Sequence, residues 1–116
     1  MKKDNIIKNK SYELALSIIK LVRDIPKCSE GYVICNQLCK SGTSVGANVE
    51  EAIAGFSKED FSYKMNIALK EARESHYWLR LLKDSELVKS EHVQTVLKQT
   101  EEVMRILGAI VKSSRE

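Results

Sequence analysis

The sequence predicts an all-α protein, an antiparallel up-down-up-down four-helix bundle, and three observations carry that expectation. The 116 residues include one proline and five glycines, too few breakers for a strand-and-turn fold. Apolar residues recur at three- and four-residue spacing through four separate stretches. The stretches are joined by short connections, which set successive helices antiparallel. With 43% hydrophobic and 30% charged residues, residues 1–116 read as one domain around one core.

The first helix is expected over about residues 5–24. Leu14, Ile18, Leu21 and Ile25 form its core stripe, and Pro26 stops it. The second is expected over residues 30–55, with Ser29 as its cap. The third, residues 58–84, starts from Ser57, and Asp60 three positions on gives the pattern of a capping box. Phe61, Met65, Ala68, Ala72, Ser75, Leu79 and Leu82 then keep the clearest rhythm in the chain. The fourth, residues 90–112, is capped by Ser90 and carries Val93, Val96, Thr100, Val103, Leu107 and Ile110 on one seam. At a rise of about 1.5 Å per residue, such helices make a rod about 30–40 Å long.

The stretch SGTSVGANVEEA, residues 41–52, looks at first like a phosphate loop. It lacks the lysine of a P-loop and the preceding strand of a dinucleotide site. Placed on a helix, Cys35, Leu38, Cys39, Gly42, Val45, Gly46, Val49, Ala52, Ile53 and Phe56 share one broad apolar face. Ser41, Ser44 and Asn48 lie on the stripe beside it. Each glycine costs a helix about 1 kcal/mol against alanine, so close backbone approach to a neighbour is expected at Gly42 and Gly46. Between Gly31 and Val49 the only charge is Lys40, where the overall composition would put about six. A helix so poor in charge is expected to be covered on two sides, by its own bundle and by another copy of the chain. Ser41, Gly42, Ser44, Val45, Gly46, Asn48 and Val49 are the candidates for that close packing or oligomer contact, with Asn48 hydrogen-bonding across it.

Charge is unevenly spread. The net charge is +3, yet residues 1–27 carry seven basic against three acidic residues. Two basic stripes are candidates for nucleic acid, RNA or DNA. Lys20, Arg23 and Lys27 follow helical spacing at the end of helix one. Arg73, His76, Tyr77, Arg80 and Lys83 mix cations with aromatic rings on helix three, which suits phosphate contact with base stacking. Cys28, Cys35 and Cys39 are an odd count without a second ligand pair, so they read as small buried residues rather than a disulfide or zinc set. No cofactor is implied. The absence of a signal peptide or long apolar run reads as a cytoplasmic protein that does not enter membranes.

SGTSVGANVEEA, followed by SKEDFSYKMNIALKEARESHYWLRLL over residues 57–82, resembles a family of bacterial four-helix bundle proteins. These include proteins encoded in intervening sequences of 23S ribosomal RNA genes. The likeness runs from KSYELALSIIKLV onward, and its specific marks are S-x-G-A-N-x-x-E, S-K-x-D-F and K-E-A-R-E followed by Y-W-L-R-L-L. Where many members carry Ala-Glu-Gly, this chain has Glu50, Glu51 and Ala52. The resemblance implies a homopentamer of bundles around an axis. It extends to the accessory protein of diversity-generating retroelements, a pentameric barrel that engages nucleic acid and a reverse transcriptase.

Three functional readings follow. The leading one is a non-catalytic, homo-oligomeric scaffold associated with nucleic acid. A protein–protein adaptor without nucleic acid is the first alternative. An enzyme with a site between subunits, using Glu71, Glu74 or His76, is the second. It has the least support, because no nucleophile–base pair is visible and carboxylates three apart on a charged helix more often pair with lysine or arginine.

Overall fold

The computed structural model describes residues 2–115, with side chains from Ile6 to Arg115. Its elements are α1 (Lys2–Val22), α2 (Ser29–Ala54), α3 (Lys58–Asp84) and α4 (Ser90–Ser114). α2 packs on α1 and α3, and α4 packs on α3 and α1. The backbones of the diagonal pairs, α1 with α3 and α2 with α4, do not approach closely among the described residues, so the four helices stand at the corners of a square and run up, down, up, down. The rod measures 44 × 21 × 19 Å.

The periodic stripes become the core because each buries one face against two neighbours. Leu14 and Ile18 of α1, Leu38, Val45 and Val49 of α2, Met65 and Leu79 of α3, and Val93 and Leu107 of α4 are fully enclosed. All six seam residues of α4 are buried, and all but Phe61 of the α3 seam. Two polar seam positions are satisfied locally. Thr100 Oγ1 donates to the Val96 carbonyl at 2.8 Å, and Ser75 Oγ donates to the Glu71 carbonyl at 2.9 Å.

The helix ends depart from expectation by small margins with clear causes. α1 stops at Val22, and Arg23 and Asp24 form a turn in which the Asp24 N–H donates to the Leu21 carbonyl at 2.9 Å. Pro26 follows that turn rather than causing the stop. Ser29 and Ser90 are the first residues of their helices, not the caps. Cys28 and Lys89 hold the cap positions, and neither makes a side-chain cap bond. Ser57 does cap α3, its hydroxyl accepting from the Asp60 N–H at 3.0 Å. Between α3 and α4 the chain turns through Glu86, which sits at φ 61° in the left-handed region.

Ser41 and Ser75 meet between α2 and α3, their hydroxyl oxygens 2.8 Å apart and buried. Removing one partner leaves the other's hydroxyl short of a bond, whereas removing both leaves two small apolar residues. Ser41→Ala and Ser75→Ala are each expected to cost about 1 kcal/mol, with the double variant costing less than the sum of the two. Chemical denaturation of the four chains checks this; strict additivity would mean the hydroxyls do not act as a pair.

Candidate functional site

The seven α2 candidates divide by side. Ser41, Gly42, Val45, Gly46 and Val49 are buried within the chain itself. A Cβ at Gly42 would lie 2.5 Å from Ile18 Cδ1, and one at Gly46 would lie 3.4 Å from the Ser11 carbonyl oxygen. The two glycines therefore let α1 lie close along α2. Ser44 and Asn48 are half-buried, and the Asn48 amide donates to the Ser44 carbonyl at 2.8 Å, inside its own helix rather than across a boundary.

The opposite side of α2 is what remains open. Tyr32 is 56% and Val33 55% exposed. Asn36, Thr43 and Ala47 are exposed with them, and Lys40 is the only charge between Gly31 and Val49. On the outward side of α1, Tyr12 is 59%, Leu16 42% and Ile19 38% exposed. Phe56, placed by periodicity on the apolar face, is instead wholly exposed, because the helix ends at Ala54 and the chain turns through Gly55.

The two basic stripes sit on diagonal helices and do not form one surface in a chain. Lys20 is exposed on α1, while Arg23 lies in the turn after it and Lys27 beyond Pro26, so this stripe is not a continuous helix face. On α3, Arg73, Tyr77 and Arg80 are exposed and Lys83 is half-buried. The Arg80 guanidinium lies 5.8 Å from the centre of the Tyr77 ring, and Tyr77 meets Trp78 edge to face. Such a ring under a cation keeps the mixed chemistry expected for a base and a phosphate.

Packing α3 against α4 adds cations that spacing along one helix does not reveal. Arg73, Lys112 and Arg115 line one groove of about 460 Å³ with Asn66 and Gly108, and none of the lining residues among those described is acidic. A Cβ at Gly108 would meet nothing within 4 Å, so this glycine leaves the groove open rather than serving a close contact. Further along the same seam, His76 Nε2 lies 2.9 Å from Glu101 Oε2.

Glu71, Glu74 and His76 do not converge. His76 turns to α4. Glu74 is exposed and accepts from the Trp78 indole N–H at 3.3 Å. Glu71 is half-buried, and burial pushes its carboxyl up from the usual range, with Glu74 adding to the shift and Lys40 and Lys70 opposing it. A carboxylate held above its unfolded value weakens the fold as pH rises through the folded value, and does no harm below the unfolded one. Glu71→Gln is therefore expected to raise the melting temperature at about pH 7 and to confer no gain at about pH 4. An equal gain at both would mean that charge is not the cause.

The three cysteines are free and half-buried rather than enclosed. Burial raises the Cys39 thiol, with Cys35 one turn away adding to it, so Cys39 holds its proton. Among the described residues, no three His, Cys, Asp or Glu side chains are placed to hold a metal ion. No helix among them is long and apolar enough to cross a membrane.

These features define a small antiparallel four-helix bundle whose distinctive chemistry lies on outward faces rather than in an enclosed pocket. The chain belongs to the family described as 23S rRNA-intervening sequence protein, whose model matches residues 3–109. Among solved structures it is similar to a protein with unknown function from the S23 ribosomal protein family of Bacteroides thetaiotaomicron VPI-5482. The two share 40% identity with a TM-score of 0.87, and the match covers 95% of this chain and 98% of that one. None of the curated proteins compared with it matches.

Proposed function

We propose that this protein is a non-catalytic scaffold that assembles with copies of itself and associates with nucleic acid through the α3–α4 seam. The observation that carries the nucleic-acid reading is the groove in which Arg73, Lys112 and Arg115 converge with no carboxylate among the described lining residues. Phosphate contact needs clustered, solvent-accessible cations, and the Tyr77–Arg80 pair nearby offers a face for a base. The self-assembly reading rests on the charge-poor outer side of α2 beside Tyr12, Leu16 and Ile19 of α1. An exposed surface that mixes large apolar residues with few charges is the composition of an interface core. The family resemblance supplies the count of five. A ring of five would repeat each basic groove five times, so modest contacts would add through avidity.

A binding titration with RNA and with DNA at several salt concentrations tests the nucleic-acid part. The expected result is binding at low salt that weakens steeply as salt rises. Absence of binding at low salt would leave the protein–protein adaptor as the reading. Light scattering tests the assembly part, with a mass several times the 13.2 kDa chain expected at micromolar concentration.

A further inference from the structure

Two features at one end of the rod fit each other and not anything within the chain. The first is a knob. Phe56 stands in the α2–α3 connection and is 105% exposed, so its ring touches essentially nothing. The second is a slot. Between α1 and α4 lies a groove of about 380 Å³ floored by Ile6, Ile106 and Ala109 and rimmed by Lys10, Glu102 and Arg105. Lys10 pairs with Glu102 at 3.2 Å, which among the described rim residues leaves Arg105 as the unpaired charge.

Topology sets their relation. α1 starts and α4 ends where α2 passes into α3, so knob and slot lie toward the same end of the rod. α2 and α3 form one side of the square, and α1 and α4 form the opposite side. A chain cannot put its own Phe56 in its own slot. The charges also match. Around Phe56, residues 50–64 carry Glu50, Glu51, Glu59 and Asp60 against Lys58 and Lys64, an acidic collar facing a rim with surplus positive charge.

We propose that Phe56 of one copy inserts into the α1–α4 groove of the next. The proposal rests on the self-assembly reading and specifies its contact. Because knob and slot are different patches on opposite sides, the contact is heterologous, and copies joined this way stand side by side and close into a ring if the turn and rise per copy allow. Seating Phe56 also carries the charge-poor middle of α2 toward α1 of the neighbour, where Leu16 and Ile19 are exposed.

The test uses the full chain and two variants, Phe56→Asp and Ala109→Glu, both at exposed positions that leave the core intact. Light scattering should show the unaltered chain as an oligomer and each variant as a monomer, with association weakened at least about tenfold. Circular dichroism melts should show both variants folded. Mixing them restores one sound knob and one sound slot per pair, so the mixture should form a dimer that cannot grow. An unaltered chain that is itself monomeric would defeat the assembly reading. An oligomeric unaltered chain whose Phe56→Asp variant keeps full mass, or whose mixed variants stay monomeric, would overturn this contact alone.

Discussion

Gly42→Leu is expected to destabilise the bundle by about 3 kcal/mol, and Gly108→Ala to stabilise it by about 1 kcal/mol. Both residues are helical glycines, so propensity alone makes both substitutions favourable. Space decides the sign. At Gly42 a single added carbon would already lie 2.5 Å from Ile18 Cδ1 and 3.2 Å from its Cγ2. Ile18 is fully buried and cannot swing into solvent. Leucine adds three further carbons at that point, and α1 must move off α2 to admit them. Overpacking of this kind exceeds the gain in propensity. At Gly108 an added carbon meets nothing, so the gain stands alone. Chemical denaturation of the two variants beside the unaltered chain checks both signs. A Gly42→Leu chain with an unchanged midpoint would show that α1 and α2 are not held as closely as described.

Arg73→Ala combined with Lys112→Ala is expected to weaken nucleic-acid binding about 100-fold near 0.1 M salt. The slope of log affinity against log salt should also fall by about 1.5 to 2. Each phosphate contact releases roughly one counterion, so the loss of two contacts appears in both quantities. The two residues lie on different helices and meet only in the α3–α4 groove. Lys20→Ala with Arg23→Ala removes the same charge from the far side of the bundle, since α1 stands diagonally across from α3. That variant should therefore bind nearly as the unaltered chain does. Equal losses in the two double variants would point to net charge, and would remove the groove from the account.

Much of the fold is legible in the sequence because burial imposes a period. The seams of α3 and α4 are written in residues three and four apart, and a helix can bury such a set only on one side. The tight approach at Gly42 and Gly46 is legible too, since a glycine inside a helix needs a steric reason. Helix starts read less clearly. Ser29 and Ser90 have the chemistry of caps, but the cap position depends on where the preceding loop delivers a non-helical residue. Here that residue is Cys28 in one case and Lys89 in the other. Phe56 fits the apolar face only if α2 continues, and the turn at Gly55 removes it from that face.

The sequence by itself determined four helices, their order, the residues that enter the core, and the poverty of charge on α2. These follow from local periodicity and composition, which need no knowledge of neighbours. Tertiary structure alone decided which surfaces the helices share. It put Arg73 beside Lys112 and Arg115, turned His76 toward Glu101 and away from Glu71, and left Lys20 on the diagonal helix. It also set Phe56 and the α1–α4 groove on opposite sides toward one end of the rod. Such placements depend on how antiparallel helices align in register, a long-range consequence of packing that no single helix's spacing contains.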